Sequence, residues 1–150
     1  MDFILGILKN YVLVCAVAGW FVAHFIKCGR YVAKNKKFNI AVLMSSGGMP
    51  SSHSSTVCAM VTATARACGT SAPEFALAFI FAFIVMYDAA GVRRAAGEQA
   101  KVINRMAQDI AEGENKYLDK DLKEFIGHTP IQVLVGGAIG ILVPLLIPVF

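Results

Sequence analysis

Two histidines stand out for where they sit. His53 follows the turn Gly47-Gly48-Met49-Pro50-Ser51-Ser52, and His128 precedes Thr129-Pro130. Each falls at the expected start of a helix, and each adjoins a basic stretch. One stretch holds Lys27, Arg30, Lys34, Lys36 and Lys37; the other, 93–127, opens on Arg93-Arg94. Such a set suits a phosphate group. A helix N-terminus offers unpaired N–H groups and a partial positive charge. Gly48 allows close backbone approach, Ser51 and Ser52 add hydroxyls, and Lys27, Arg93 and Arg94 add cationic donors that match phosphate oxygens. Two histidines permit a division of labour, one as nucleophile and one as general acid. Asp88 lies about a turn and a half before Arg93 inside an apolar segment, where an ionisable residue is costly and marks function by default.

Each residue also has a plainer reading. His53 alone is as readily a helix-start residue as a catalyst, and it is the Gly-Gly-Met-Pro-Ser-Ser context that favours chemistry. His128 alone is an interfacial cap. Arg93-Arg94 alone flanks the end of a membrane span, and Asp88 can simply neutralise one of them. His24, inside the first apolar stretch with no evident partner, reads as structural or interfacial. Arg66 reads as a residue that snorkels to the opposite membrane face. The four cysteines (Cys15, Cys28, Cys58, Cys68) show no metal-ligand spacing, and buried reduced thiols are the expectation. The donor set implies neither a metal nor another cofactor.

The elements that position these residues are apolar. Hydrophobic residues make up 57% of the chain and charged ones 16%, against about half and a quarter in a soluble domain. The excess lies in Tyr11–Ile26, Phe75–Tyr87 and Ile131–Phe150, which carry almost no charge. A bilayer-spanning helix needs roughly 17–25 mostly apolar residues. A chain of 150 residues cannot cover three such segments with a soluble shell. The expectation is one integral membrane domain over 1–150, all-α, with about four transmembrane helices near 10–27, 51–69, 73–96 and 130–150. Residues 1–8 read as an interfacial approach and not as a cleaved signal peptide. The segment 38–44 is apolar but too short to cross.

The 51–69 helix is built of Ser, Thr, Ala and Cys, small residues that let membrane helices pack backbone to backbone, so it belongs between other helices. Gly136 and Gly140 form a GxxxG pair on the last span, for packing within the chain or in a homodimer. The polar loop 97–127 reads as helical in two pieces. Val102, Ile103, Met106 and Ile110 recur at helical spacing, as in an amphipathic helix lying on the membrane. The net charge of +4 comes from residues beside membrane segments, which fits topology and anionic lipids and not nucleic acid. Both basic loops belong inside, so both termini lie outside and the two histidines share the cytoplasmic face. Basic residues that bind substrate give the same charge count.

Three blocks, GGMPSSHSS (47–55), MYDAAGVRRAAGEQA (86–100) and GHTPIQVLVGGAIG (127–140), give the chain a resemblance to the divergent branch of the type 2 phosphatidic acid phosphatases, relatives of the vanadium-dependent haloperoxidases. The resemblance covers nearly the whole chain. It implies a phosphatidic acid phosphatase type 2-like bundle in a bacterial cell membrane, with a lipid phosphate as substrate. Pro50-Ser51-Ser52-His53 is similar to the family's Pro-Ser-Gly-His motif, which implies that His53 protonates the leaving oxygen. His128 matches the family's nucleophile, which forms a phosphohistidine. Arg93 or Arg94 matches its phosphate-binding arginine, and Lys27 its first-motif lysine.

The sequence departs from the family pattern in three places. No Arg-Pro follows Lys27, and a long loop separates the arginines from His128. Gln132 stands where the family places an aspartate. Glutamine can orient an imidazole but cannot stabilise an imidazolium as a carboxylate does; Asp88 can supply the missing charge.

The expected function is therefore a membrane phosphatase for a lipid phosphate or diphosphate, working at the interface with the lipid tail among the helices. A non-catalytic lipid-phosphate binder or transporter of the same fold fits the same residues, given Gln132. An intramembrane serine hydrolase using Ser51, Ser54 or Ser55 lacks a GxSxG elbow and leaves the basic residues unexplained.

Overall fold

The computed structural model describes residues 2–36, 48–114 and 128–150; within these, the side chains of 2–3, 93–94, 109 and 111–114 lie outside the description. The protein is all-helical, with α1 over Asp2–Leu8, α2 over Tyr11–Asn35, α3 over Ser52–Cys68, α4 over Pro73–Ala90, α5 over Val92–Glu114 and α6 over Pro130–Leu146. The apolar segment 38–44 and the second half of the polar loop, 115–127, lie outside the described residues.

Local signals account for the helix ends. Asn10 caps α2, its side chain accepting from Leu13 N–H at 3.0 Å. α2 runs on to Asn35, well past Lys27 where the apolar run stops, because Lys and Arg are good helix formers and apolarity does not decide helicity. It ends where Lys36 turns left-handed (φ 52°) and returns its N–H to the Val32 carbonyl. Pro73 and Pro130 each open a helix, where a missing N–H costs nothing. The expected third helix over 73–96 is two: α4 stops at Ala90, Gly91 returns its N–H to the Tyr87 carbonyl, and α5 begins at Val92.

α3 is the central helix, packed on α2, α4 and α6. Its small side chains are the reason. Ser54, Ser55, Ala59 and Ala63 are wholly or almost wholly buried, and the Ser55 hydroxyl donates to the Gly19 carbonyl of α2 at 2.8 Å. α6 lies against α3 through the GxxxG pair. A Cβ on Gly140 would run into the Ser55 carbonyl and stand 2.8 Å from Cys58 Cβ and 2.9 Å from Ala59 N, and one on Gly136 would run into the Ser51 carbonyl. The pair therefore serves close packing inside one chain.

The outward faces are apolar. Leu77, Phe79, Ile80, Phe83 and Ile84 on α4, and Leu134, Leu142 and Leu145 on α6, are all more than half exposed. This is the reverse of a soluble helix, whose apolar stripe turns inward. α2 is long and apolar enough to cross a bilayer, as is the stretch that begins with α4, while α6 is apolar over 17 residues. The protein is an all-α membrane protein.

The two ends of the bundle differ. At one end, Arg66 at the foot of α3 donates to the Tyr11 hydroxyl and to the Pro144 and Ile147 carbonyls at the end of α6. The Tyr11 hydroxyl donates to the same carbonyls at 3.0 and 3.1 Å. Arg66 is thus a clamp on the α6 terminus, beyond the snorkelling role read from its position. At the other end meet the last turns of α2 and α4 and the first turns of α3 and α6.

Candidate functional site at one end of the bundle

Four chain segments converge on His128. Its backbone N–H donates to the Ala89 carbonyl at the end of α4 (3.0 Å), and Ser51 N–H donates to the Gln132 carbonyl in α6 (3.1 Å). These two bonds tie the starts of α3 and α6 to the end of α4. The rings of His53 and His128 then lie 6.1 Å apart, centroid to centroid, at 60°. His53 stands in the first turn of α3, whose N-terminal dipole favours an anion at this end.

Lys27, from the late part of α2, is buried at the same place. Its side chain approaches Gly48 so closely that a Cβ there would lie 3.2 Å from Lys27 Cε. Gly48 also has φ +95°, a conformation that suits glycine alone. Both requirements explain a glycine before the Met49-Pro50-Ser51 turn.

Gln132 controls the state of the His128 ring. Its side-chain oxygen accepts Thr129 N–H at 3.1 Å, as an N3 residue reaching back to its N-cap. A backbone N–H can only donate, so this contact identifies the atom as Oε1 and not the amide nitrogen. The same Oε1 stands 3.2 Å from His128 Nδ1. It therefore accepts the Nδ1 proton, and in the neutral ring the lone pair is left on Nε2. That Nε2 is buried and has no hydrogen-bond partner among the described residues, and His128 as a whole is 2% exposed.

Burial pushes the His128 pKa below its ordinary value, and the positive charges of His53 and Lys27 act in the same direction. The Gln132 oxygen and the Gly48 backbone oppose them. The net effect favours the neutral imidazole.

The remaining residues read from the sequence divide. Ser51 is fully buried, and its hydroxyl oxygen accepts from Ser54 N–H (3.3 Å) and Ser54 Oγ (3.0 Å), which makes it the α3 cap. Ser52 is nearly buried in the first turn, and its carbonyl accepts from the Thr56 hydroxyl at 2.8 Å. Asp88 is half-buried on the last turn of α4, next to the Ala89 that holds His128. The side chains of Arg93 and Arg94, in the first turn of α5, lie outside the described residues. His24 is buried, its ring nitrogen bonded to the Trp20 carbonyl at 3.0 Å and its ring 4.0 Å from that of Trp20. Among the described residues no group of three or more His, Cys, Asp or Glu gathers to hold a metal ion.

Residues 8–143 match the Divergent PAP2 family. The chain belongs to that family. It is also 40% identical, over 154 aligned positions, to the uncharacterized membrane protein YuiD of Bacillus subtilis (strain 168), covering 96% of this chain and 98% of the relative. No solved structure matches it. In this Divergent PAP2 protein two features of the site escaped the sequence reading. One is the Ala89 carbonyl that positions His128, which no local pattern announces. The other is the capping role of Gln132, whose signal was present: Thr129-Pro130-Ile131-Gln132 fits the T-x-x-Q capping box.

Proposed function

We propose that the protein is a membrane-embedded phosphatase for a lipid phosphate or diphosphate, working through a phosphohistidine. One observation carries the reading: the buried His128 Nε2, which makes no hydrogen bond of good geometry among the described residues while Gln132 takes Nδ1, beside His53 and Lys27. Most buried side-chain nitrogens have a hydrogen-bond partner, so one without calls for a reason beyond packing.

The steps follow from the ring chemistry. His128 Nε2 attacks the phosphorus of the lipid phosphate, a P–N bond forms, and the P–O bond to the lipid breaks. His53 gives its proton to the leaving oxygen. Water then attacks the phosphohistidine while His53 takes a proton from it; the P–N bond breaks, and inorganic phosphate leaves with both histidines restored. Lys27 and the N–H groups at the start of α3 counter the charge on the phosphoryl oxygens as it develops, with Arg93 or Arg94 completing the set. Gln132 keeps Nδ1 protonated and the ring fixed. It gives the phosphorylated ring no negative charge, so turnover is slower than with a carboxylate at 132. Asp88, one residue from the Ala89 carbonyl that holds His128, supplies what compensating charge there is. The positive charge of the two basic loops favours the cytoplasmic face for this end of the bundle.

The test is phosphate release by purified protein in detergent, offered phosphatidic acid, phosphatidylglycerol phosphate and prenyl diphosphates. Release that vanishes in His128→Ala supports the reading and names the substrate class. Folded protein that releases nothing from any of them overturns it in favour of a lipid-phosphate binder or transporter, the role that the neutral Gln132 allows.

A further inference from the structure

α5 starts at the end of the bundle that holds His128. Only Gly91 separates it from α4, and Ala89, two residues earlier, holds the His128 N–H. Among the described helices it packs on α4 alone. Its surface is divided. Val92, Val102, Ile103, Met106 and Ile110 are each at least half exposed, and at 3.6 residues per turn they fall in one stripe about 100° wide. Glu98, Lys101 and Arg105 are exposed on the opposite side, with Lys101 paired to Glu98 at 3.1 Å. Between the two faces runs a buried flank of Gly97, Ala100 and Asn104. The fold thus buries a flank that has no large apolar side chain and leaves the apolar stripe uncovered.

The nearest apolar phase decides what covers the stripe. Outward-facing Phe79, Phe83 and Ile84 make α4 a lipid-contacting helix. Its last turn carries Asp88, so the chain leaves the hydrocarbon there and α5 starts among the headgroups. Tyr87 and Val92, on either side of the break, are both more than half exposed, and apolar exposure runs on from α4 into α5. A helix with one apolar and one charged face lies in that plane, with its apolar side sunk about 5–10 Å. Charge narrows the choice of surface. Residues 92–105 hold Arg93, Arg94, Lys101 and Arg105 against Glu98 alone, and the acidic Asp109, Glu112 and Glu114 all come later. The part of α5 nearest the membrane span is therefore the basic part, which anionic lipid attracts.

We propose that α5 is a docking surface for anionic lipid headgroups, with its stripe among the upper acyl chains and its basic first half on the lipid phosphates, at the same membrane face as His128. The docking does not depend on what His128 does. Its consequence for turnover rests on the phosphatase reading: Arg93 and Arg94 stand in the first turn of the docked helix, so the lipid surface fixes the height at which they meet the substrate.

The experiment uses the whole protein in nanodiscs of phosphatidylcholine alone, or of phosphatidylcholine and phosphatidylglycerol in equal parts. Trp20 is the chain's one tryptophan, so Trp20→Phe clears the background. Met106→Trp then reports the stripe, and Gln108→Trp the charged side. With bromine on the upper acyl-chain carbons, Met106→Trp is expected to emit blue-shifted and to be quenched, while Gln108→Trp emits as in water and is not. Lys101→Gln together with Arg105→Gln is expected to lower the ratio of docked to free α5 about 30-fold beside phosphatidylglycerol, and to leave it nearly unchanged in phosphatidylcholine alone. Water-like, unquenched emission from Met106→Trp in both lipids overturns the proposal. So does equal quenching on the two sides, or a docked ratio that the double variant leaves unchanged beside phosphatidylglycerol. A blue shift without bromine quenching also overturns it, because a second copy of the chain would then cover the stripe. Phosphate release read on the same discs separates the two claims. It is expected to be faster beside phosphatidylglycerol in the parent and to lose that gain in the double variant. An equal gain in both removes the link to Arg93 and Arg94, whereas docking without any release upholds the surface and removes the phosphatase reading.

Discussion

Gln132 Oε1 lies 3.2 Å from His128 Nδ1 and 3.1 Å from the Thr129 backbone N–H. One atom thus caps a helix and sets a tautomer. The first duty fixes where the side chain must be, and the second uses that placement. A residue that would be read as a weak replacement for a carboxylate is held rigidly because the start of α6 needs it there.

That relationship makes Gln132→Glu informative. A glutamate at N3 keeps the capping box and adds a negative charge beside Nδ1. An adjacent negative charge raises the histidine pKa and stabilises the positively charged phosphorylated ring. The variant should release phosphate faster than the parent, with the acid limb of its pH–rate profile moved to higher pH. Gln132→Ala should lose activity about 10- to 100-fold, the scale known for removing the outer-shell partner of a metal-binding histidine, while circular dichroism shows the helices intact.

His53 and His128 should fail differently. His53→Ala removes a general acid, and release should fall by about 10²- to 10⁴-fold. A substrate whose leaving group needs no proton, such as an activated aryl phosphate, should recover most of that loss. His128→Ala removes the nucleophile and should be silent on both kinds of substrate. Equal losses on the two substrates in His53→Ala would remove its role as proton donor.

The lowered pKa of His128 also predicts how stability depends on pH. The unfolded chain takes up a proton at the ordinary histidine value of about 6.5, whereas the folded chain resists it until lower pH. Stability therefore falls as pH drops from about 6.5 through the folded value, and is unaffected by this group above it. Thermal melts should show Tm declining over that window in the parent and declining less in His128→Gln. Equal slopes would mean that the ring titrates normally.

Packing of α6 on α3 gives a prediction independent of chemistry. Gly140→Ala places a methyl group against the Ser55 carbonyl and Ala59 N, backbone atoms that cannot move aside cheaply. Overpacking of this kind costs about 1–3 kcal/mol, seen as a lower Tm in detergent. Arg66→Ala, at the other end, leaves the Ile147 carbonyl to the Tyr11 hydroxyl and the Pro144 carbonyl to that hydroxyl and the Ile147 N–H. It should cost about 1–2 kcal/mol and leave KM unchanged, because the clamp is at the far end of the bundle from His128.

Much of this was legible in the residues. Small side chains in 51–69 announced a helix buried among others, Gly136 and Gly140 announced close approach, and the two basic stretches put His53 and His128 at one end. These are one-dimensional signals with a direct physical cause. Helix limits were less legible where hydropathy and helicity part company. Charge begins at Lys27, but α2 continues to Asn35 because nothing before Lys36 stops it, and the apolar run into Arg93 conceals the break at Gly91. Arg66 could be read only as a charge near a membrane face, since its acceptors lie about eighty residues away at the end of α6. The Ala89 carbonyl was invisible for a like reason: any residue has one, and only the fold selects this one for His128.

The most direct test of the account is to trap the phosphoryl group. Purified protein would be mixed with a ³²P-labelled lipid phosphate that it turns over, quenched in alkali within milliseconds, and mapped by peptide. The account predicts label on His128, stable in alkali and lost in acid, absent in His128→Ala and decaying more slowly in His53→Ala. Phosphate release at the parental rate by His128→Ala, or label on Ser51, Ser54 or Ser55 in place of His128, would contradict it.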